Sequence, residues 1–227
     1  MRFVNQVFAM THESSDEIIF EEPLPHDPCA LLQQWFDFAQ HNSRKHNWNA
    51  FMLATSNPET HQPSVRAVLM KHFDTSAGQI TFYTNYNSRK AREIEINPRV
   101  AAAFHWDDIE RQIRVRGTVK RASHEISDAY FATRSRESQI GAWASDQSKE
   151  LAGGWEELLE KVMHYAMKFP ADQSVPRPPH WGGYAITATQ IEFWHGRTGR
   201  IHERVGYFSD DKAGSSTSKW RAAWLAP

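Results

Sequence analysis

Cysteine is nearly missing from this chain. Cys29 stands alone, so no internal disulfide can form and the fold rests on packing and hydrogen bonds. Charge of one sign is not in excess either: 26 Lys and Arg face 27 Asp and Glu, a net charge of −1 that excludes the broad basic surface of a nucleic-acid or membrane-surface binder. Any positive site must therefore be local. No apolar run approaches membrane-spanning length, and the N-terminal stretch MRFVNQVFAMTHESSDEIIF lacks the long apolar segment and cleavage pattern of a secretory leader. A soluble, cytoplasmic protein with neither a nucleic-acid nor a membrane partner is the expectation. Motifs of familiar chemistries are absent too. The 12 histidines include no His-x-x-x-His pair and the lone cysteine has no partner, so no metal site is expected. No GxSxG, Walker or GxGxxG sequence supports a serine hydrolase, P-loop or Rossmann reading.

What the chain does have is aromatic mass: 9 Trp and 12% aromatic residues, enough to fill a large core and to stack on a planar ligand. Residues 1–26 are polar and acidic, the composition of a loosely ordered terminus. HDPCALLQQWFDFAQ then opens a helix, with Asp27 as its cap, Pro28 in the first turn, and Leu31, Leu32, Trp35, Phe36 and Phe38 on its apolar side. From Asn49 the texture turns to β-like runs: AFMLATS, SVRAVLMKHF, QITFYTN, RVAAAFHW and RQIRVRGTVKRA, separated by turn signals such as NPETHQP and DTSAG. In the last run Ile113, Val115, Gly117 and Val119 face one way, while Gln112, Arg114, Arg116, Thr118 and Lys120 face the other. That alternation belongs to an antiparallel sheet with one wet face. The short helix SRKAREIEI interrupts the strands and stops at Asn97-Pro98. Helical texture returns over SHEISDAYFATRSRESQIGAWAS and KELAGGWEELLEKVMHYAMKF, and strand texture over YAITATQIEFWHG and RIHERVGYFSD. The expectation is an α+β chain: a mainly antiparallel β-barrel over 27–227, carrying a smaller helical part inserted at about 123–170.

Basic residues on or beside strands are the candidates for chemistry. Arg66 and Lys71 bracket a short strand at odd separation, so an ideal strand points them to opposite faces, towards two anions or one wrapped ligand; solvated strand ends have the same pattern. Arg89 and Lys90 occupy the first turn of a helix, where the backbone is already electropositive; a phosphate in front of them and a solvated helix start are the two readings. Tyr130, Arg134 and Ser138 recur every four residues and would share one helix face, a guanidinium between two hydroxyls, although a solvated face has this spacing as well. Arg200, His202 and Arg204 alternate along a strand-like run and crowd three potential cations onto one face. Ion pairing with Glu192 or Glu203 is the structural alternative, strained for Glu203 because an ideal strand points it the other way.

The blocks RAVLMKHFD, FYTNYNSRKA, NPRVAAAFHW, ERQIRVRG, YFATRSRESQIGAWAS, QIEFWHG, RIHER and the terminal LAP follow one another from about Asp27 to Pro227. In that order and spacing the chain resembles the flavin-dependent pyridoxine (pyridoxamine) 5′-phosphate oxidases. The resemblance implies an FMN-binding split barrel that works as a homodimer with FMN at the subunit interface. It implies a flavin site at Arg66, Ala67, Val68, Leu69, Met70, Lys71, Tyr83, Thr84, Arg89, Lys90, Gln112, Gln147, Ser148, Trp194 and Arg204. It implies a substrate site at Lys71, Tyr130, Arg134 and Ser138 for the phosphate and at Arg200, Ile201 and His202 near the pyridine ring, with Arg200 and His202 as catalytic residues. The implied reaction is the oxidation of pyridoxamine or pyridoxine 5′-phosphate by dioxygen to pyridoxal 5′-phosphate and hydrogen peroxide. The alternatives are a related split-barrel oxidase of the phenazine type, acting on another ring compound, and a flavin-binding barrel without catalysis. Two departures stand out. THESSDEIIFEEPLP supplies neither the Arg nor the Tyr that the family carries in its N-terminal lid, and Trp224 replaces the usual Arg before the terminal Leu.

Overall fold

The computed structural model describes residues 19–209 and 220–227; most of the segment expected to be loosely ordered lies outside the described residues. From residue 19 onward the chain is engaged: Phe20 is buried and stacks on Trp35, with ring centroids 5.7 Å apart. Helix α1 (Pro28–Asn42) starts as its sequence dictates, Asp27 accepting the Cys29 N–H at 2.9 Å. Its buried residues Leu32, Trp35, Phe36 and Ala39 fall at i, i+3, i+4 and i+7. Phe38, expected on the apolar side, lies at the margin and is covered by the Arg111 guanidinium 3.6 Å from its ring centroid.

Strands β1 (Ala50–Ser56), β2 (Pro63–Leu69), β3 (His72–Asp74), β4 (Gln79–Asn85), β5 (Arg99–Trp106), β6 (Arg111–Arg121) and β7 (Trp181–His195) pair throughout in antiparallel fashion, in the order β2-β1-β5-β6-β7-β4-β3. The two ends of that path, β2 and β3, are consecutive in the chain. The expected single run SVRAVLMKHF breaks at Met70 and Lys71: Met70 N–H donates to Asn49 O and Lys71 N–H to Thr81 O, each at 2.9 Å. The chain thus leaves β1 for β4 at this corner, and the sheet curls into a barrel. Inside it pack Phe51, Leu53, Phe82, Phe104, Ile113, Val115, Ile191 and Phe193, all essentially inaccessible, under the lid of α1. The predicted alternation of β6 holds, with Ile113, Val115, Gly117 and Val119 buried. At the bulge beside Gly117 the facing strand comes so close that a Cβ would sit 2.2 Å from Thr187 O.

Strand β7 has β6 on one side from Tyr184 to His195. On the other it pairs first with β4 through Trp181–Thr187 and then with β8 (Glu203–Ser209) through Gln190–His195; β9 (Trp220–Trp224) pairs with β8. Two expectations need correction. The stretch after Ser123 is two helices, α3 (His124–Ala132) and α4 (Arg136–Ala144), because Ser135 caps a new helix by accepting the Ser138 N–H. The run from Arg200 to Arg204 is not one strand. Thr198–Arg200 form a 3-10 turn, Arg200 takes the left-handed conformation at φ 62°, and β8 begins only at Glu203. Helix α2 (Arg89–Ile96) ends at Asn97, as its sequence predicts, while Ser88, expected as its first residue, caps it instead. Helix α5 (Gly154–Lys168) packs beside α4 and buries none of its residues fully. A second small core, Phe131, Ile140, Ala142, Phe169, Val175 and Trp181, holds this helical part against β7. Trp224, the departure at the C-terminus, packs edge-on against Phe20 at 5.8 Å and donates its indole N–H to Glu22.

Candidate active site

Between the barrel wall and helices α3 and α4 lies a cavity of about 850 Å³. Its lining comes from β2 (Arg66, Ala67, Val68, Leu69), the corner (Lys71), β4 (Tyr83, Thr84, Asn85), α2 (Lys90), α3 (Tyr130), the α3–α4 turn and α4 (Arg134, Ser135, Ser138, Gly141, Ala142), Ser145, Gln147 and Trp181. Four cations and no carboxylate line it, in a chain of net charge −1. Such a concentration of one sign is built for an anion.

At one group of these residues, α2 presents its first turn to the cavity. Lys90 is buried and donates to Gln147 Oε1 at 2.7 Å, Thr84 Oγ1 at 3.1 Å and Ser88 Oγ at 3.4 Å. Burial first, and then the charges of Arg66 and Arg89, push its ammonium down to about 8, against the pull of Glu93. Arg66 donates to Leu53 O at 3.1 Å and Thr55 Oγ1 at 2.6 Å, and lies 3.6 Å from the buried Glu93 carboxylate. Burial holds its guanidinium below the usual range, Glu93 raising it and Arg89 lowering it. Arg66 and Lys90 thus share one carboxylate, and Arg89, exposed and outside the cavity lining, adds a third positive charge close enough to act on both. Two positive charges remain uncompensated, which is the charge of a phosphate dianion.

The second group is aromatic and cationic. Tyr83, Tyr130 and Trp181 stand nearly parallel: Tyr83 is 4.0 Å from Tyr130 and 5.4 Å from Trp181, with interplanar angles of 20° and 11°. Gly183 follows from this wall, since a Cβ there would lie 2.9 Å from the Tyr83 ring. Lys71 Nζ sits 6.0 Å over the Tyr130 ring and the Arg134 guanidinium 4.6 Å over Trp181. Burial lowers the Arg134 pKa, Tyr130 offsetting it, and its Nη1 is buried without a hydrogen-bond partner. An orphaned guanidinium nitrogen on a cavity wall is a donor waiting for an acceptor. Ser135 and Ser138 bond to each other at 3.0 Å at the start of α4.

The ideal-strand geometry expected to point Arg66 and Lys71 to opposite faces does not apply, because the chain bends at Met70 between them and turns both into one cavity. Tyr130, Arg134 and Ser138 also meet there, through the helix break and not along one helix face. Of the other residues implied for the flavin, Met70 points into the barrel core, and Ser148 stands exposed in the left-handed conformation at φ 73°. Gln112, Trp194, Arg200, Ile201, His202 and Arg204 do not line the cavity; they gather along the far half of β7 and the start of β8. Gln112 faces Trp194 in register, and Trp194 faces Arg204. His202 packs on Trp194 with centroids 4.7 Å apart, and its Nδ1 accepts the Arg197 N–H at 3.0 Å. The three-cations-on-one-face picture gives way to ion pairs. Arg204 binds Glu192 at 2.8 Å, and Glu203, which an ideal strand would turn away, pairs with Arg197 and accepts the Ile19 N–H at 3.1 Å.

Sequence reasoning missed Ser135, Asn85, Ser145, Trp181 and Glu93. Ser135 was legible as a cap inside TRSRES, and Trp181 as the residue before a strand. Asn85 owes its place to a long-range bond, its side chain donating to Ser145 O at 2.9 Å, and Glu93 is one of two acids in α2; neither carries a local signal. Among the described residues no group of three or more His, Cys, Asp or Glu converges on a metal position, and no helix is long and apolar enough to cross a membrane.

Comparison with known proteins identifies the family. Residues 39–195 match the family model described as pyridoxamine 5′-phosphate oxidase, and 181–227 that of the pyridoxine 5′-phosphate oxidase C-terminal dimerisation region. A pyridoxine/pyridoxamine 5′-phosphate oxidase of Rubrobacter xylanophilus is 47% identical over 201 residues, covering 88% of this chain and 87% of that protein. One from Cupriavidus taiwanensis is 42% identical, covering 91% and 92%. The crystal structure of PhzG from Burkholderia lata, in complex with tetrahydrophenazine-1-carboxylic acid, superposes with a TM-score of 0.82 at 26% identity, over 95% of this chain and all of that one. A pyridoxamine 5′-phosphate oxidase-related FMN-binding protein of Nostoc punctiforme shares the fold, with a TM-score of 0.69 at 16% identity over 86% and 97%. The chain belongs to the pyridoxine/pyridoxamine 5′-phosphate oxidase family of oxidoreductases.

Proposed function

We propose that this chain binds FMN and oxidises pyridoxamine 5′-phosphate and pyridoxine 5′-phosphate to pyridoxal 5′-phosphate, with dioxygen as the final acceptor and hydrogen peroxide released. The amine substrate also consumes water and releases ammonia. The observation that carries this reading is the cavity whose four cations face no carboxylate, divided between two groups. FMN and the substrate each bring a phosphate, so two cationic nests are required. Arg66, Arg89 and Lys90, with two charges in excess, would hold the flavin phosphate; Lys71, Tyr130, Arg134 and Ser138 would hold the substrate phosphate. The Tyr83–Tyr130–Trp181 wall offers flat apolar surface beside both. Bound FMN would supply the hydride acceptor.

The remaining residues act from a second copy in this proposal. The segment matched to the dimerisation region, 181–227, contains Trp194, Arg200, Ile201, His202 and Arg204, none of which reaches the cavity of its own chain. A homodimer would bring this group of one chain to the cavity of the other, where Arg200 and His202 orient the substrate ring and assist proton movement. With Nδ1 of His202 accepting the Arg197 N–H, the neutral ring carries its proton on Nε2, which suits a donor to the substrate. The lone Cys29 fits a reducing, cytoplasmic setting.

Likeness to PhzG supports a second reading, oxidation of a phenazine precursor. Lys71, Arg134 and Ser138 weigh against it, since a substrate without phosphate leaves that nest unused. The test is direct. The purified protein, loaded with FMN, is given either B6 phosphate or a reduced phenazine carboxylate under air, and aldehyde and peroxide are followed. Aldehyde with matching peroxide from a B6 phosphate supports the proposal. A flavin-loaded protein inert to both B6 phosphates overturns it, and a chain that retains no FMN overturns the cofactor assignment as well.

A further inference from the structure

Helix α5 carries a feature that neither the cavity nor the C-terminal region uses. Trp155, Leu159, Met163 and Met167 recur every four residues and are 69%, 45%, 58% and 76% exposed. They form a continuous apolar stripe on the outer side of a helix whose inner side, Val162 and Tyr165, packs on the rest of the fold. A stripe of large apolar side chains left in water marks an interaction surface. One residue along from each stripe position runs a second exposed row: Glu156, Glu160, His164, Lys168. Its order is acid, acid, base, base.

We propose that α5 docks antiparallel on α5 of a second copy of this chain, joining protomers at a contact separate from the C-terminal region. The charge order selects this occupant. Around a two-fold axis through the middle of the helix, Trp155 meets the partner's Met167 and Leu159 meets the partner's Met163. The same operation lays the acidic half of the row, Glu156 and Glu160, over the partner's basic half, about two residues from its Lys168 and His164 respectively. A parallel pair would set like charges together. Opposed helix dipoles add to the preference for the antiparallel arrangement. A single helix pair is small beside the interfaces of permanent oligomers, so the association is concentration-dependent. If the chain is already dimeric through residues 181–227, α5 joins those dimers into larger assemblies.

Sedimentation velocity on the FMN-loaded protein, from low micromolar to several hundred micromolar, reads the outcome. The expected result is a mass that at least doubles with concentration in low salt and falls back in high salt. The double variant Leu159→Glu/Met163→Glu should stay at the smaller mass at every concentration while keeping its flavin and turnover. A charge exchange isolates the geometry. Glu156→Lys/Glu160→Lys makes the row wholly basic and His164→Glu/Lys168→Glu makes it wholly acidic; each alone should lose the association, and an equimolar mixture of the two should regain it. Circular dichroism confirms that α5 stays folded in each. A mass independent of concentration, or a Leu159→Glu/Met163→Glu protein that associates as readily as the unmodified chain, overturns the proposal. So does a mixture no larger than its separate components. None of these readouts depends on the identity of the oxidised substrate.

Discussion

Replacing Lys90 by Gln removes the ammonium from the proposed flavin-phosphate nest and keeps a donor within reach of Gln147, which now accepts from Lys90 at 2.7 Å. The ordinary value for this ammonium is 10.5, and burial together with Arg66 and Arg89 lowers it to about 8. That depression corresponds to a penalty of roughly 3 kcal/mol on the charged form in the free protein. The sign follows. Between about 8 and 10.5 the unfolded chain binds this proton and the folded chain does not, so stability rises with pH across that window, and below it the full penalty applies. Lys90→Gln should therefore stabilise the flavin-free protein at pH 7, by up to roughly 3 kcal/mol less the hydrogen bonds it fails to replace. It should at the same time weaken FMN binding by roughly 1.5–3 kcal/mol, the cost of losing a charge-assisted contact. In the unmodified protein the bound phosphate restores the proton, so FMN affinity stays level to about pH 8 and then falls towards tenfold per pH unit. Titration of the flavin-free protein by quenching of flavin fluorescence, from pH 6.5 to 9.5, measures this, with riboflavin as the control that lacks a phosphate. An FMN affinity that ignores pH up to 9.5, or a fall that persists in Lys90→Gln, would refute the assignment of Lys90 to the phosphate.

Arg134→Leu should raise the KM for pyridoxamine 5′-phosphate at least tenfold and leave FMN retention nearly unchanged, because its unpaired Nη1 belongs to the second nest; steady-state kinetics beside a flavin titration separate the two. Arg200→Leu should lose far more turnover than flavin, whereas Arg89→Ala should mainly release flavin, and equal loss of both in either variant contradicts the division of roles. Gly117→Ala drives a Cβ to 2.2 Å from Thr187 O, so chemical denaturation should register a loss of about 2 kcal/mol or more. An unchanged midpoint would mean that the bulge relaxes without cost.

Strand and helix positions were legible where periodicity is local. β1, β4 and β5 coincide with AFMLATS, QITFYTN and RVAAAFHW, and the cap Asp27 acts on the helix it precedes. Periodicity misled wherever the chain turns a corner that side-chain patterning does not record. Met70 and Lys71 look like two more residues of a strand, and only the bonds to Asn49 and Thr81 reveal the change of partner. Thr133 to Ser135 look helical until Ser135 is recognised as a cap, and Arg200 looks extended although it takes a left-handed φ. The cavity residues were found by resemblance and by their charge. Glu93, the carboxylate that sets how much positive charge is left over, was invisible because its meaning depends on Arg66, 27 positions away in the chain.

The unbroken length of β7 sets a distance. From Trp181 on the cavity wall to Trp194 beside His202 there are 13 steps of extended chain, about 43 Å if straight and less with the curl of the sheet. Held by β6 on one flank and by β4 and then β8 on the other, the strand can neither fold back nor slide. It acts as a spacer that keeps the cavity and the Trp194–His202 group apart within any one polypeptide, so the proposed reaction, which draws on both, would take two.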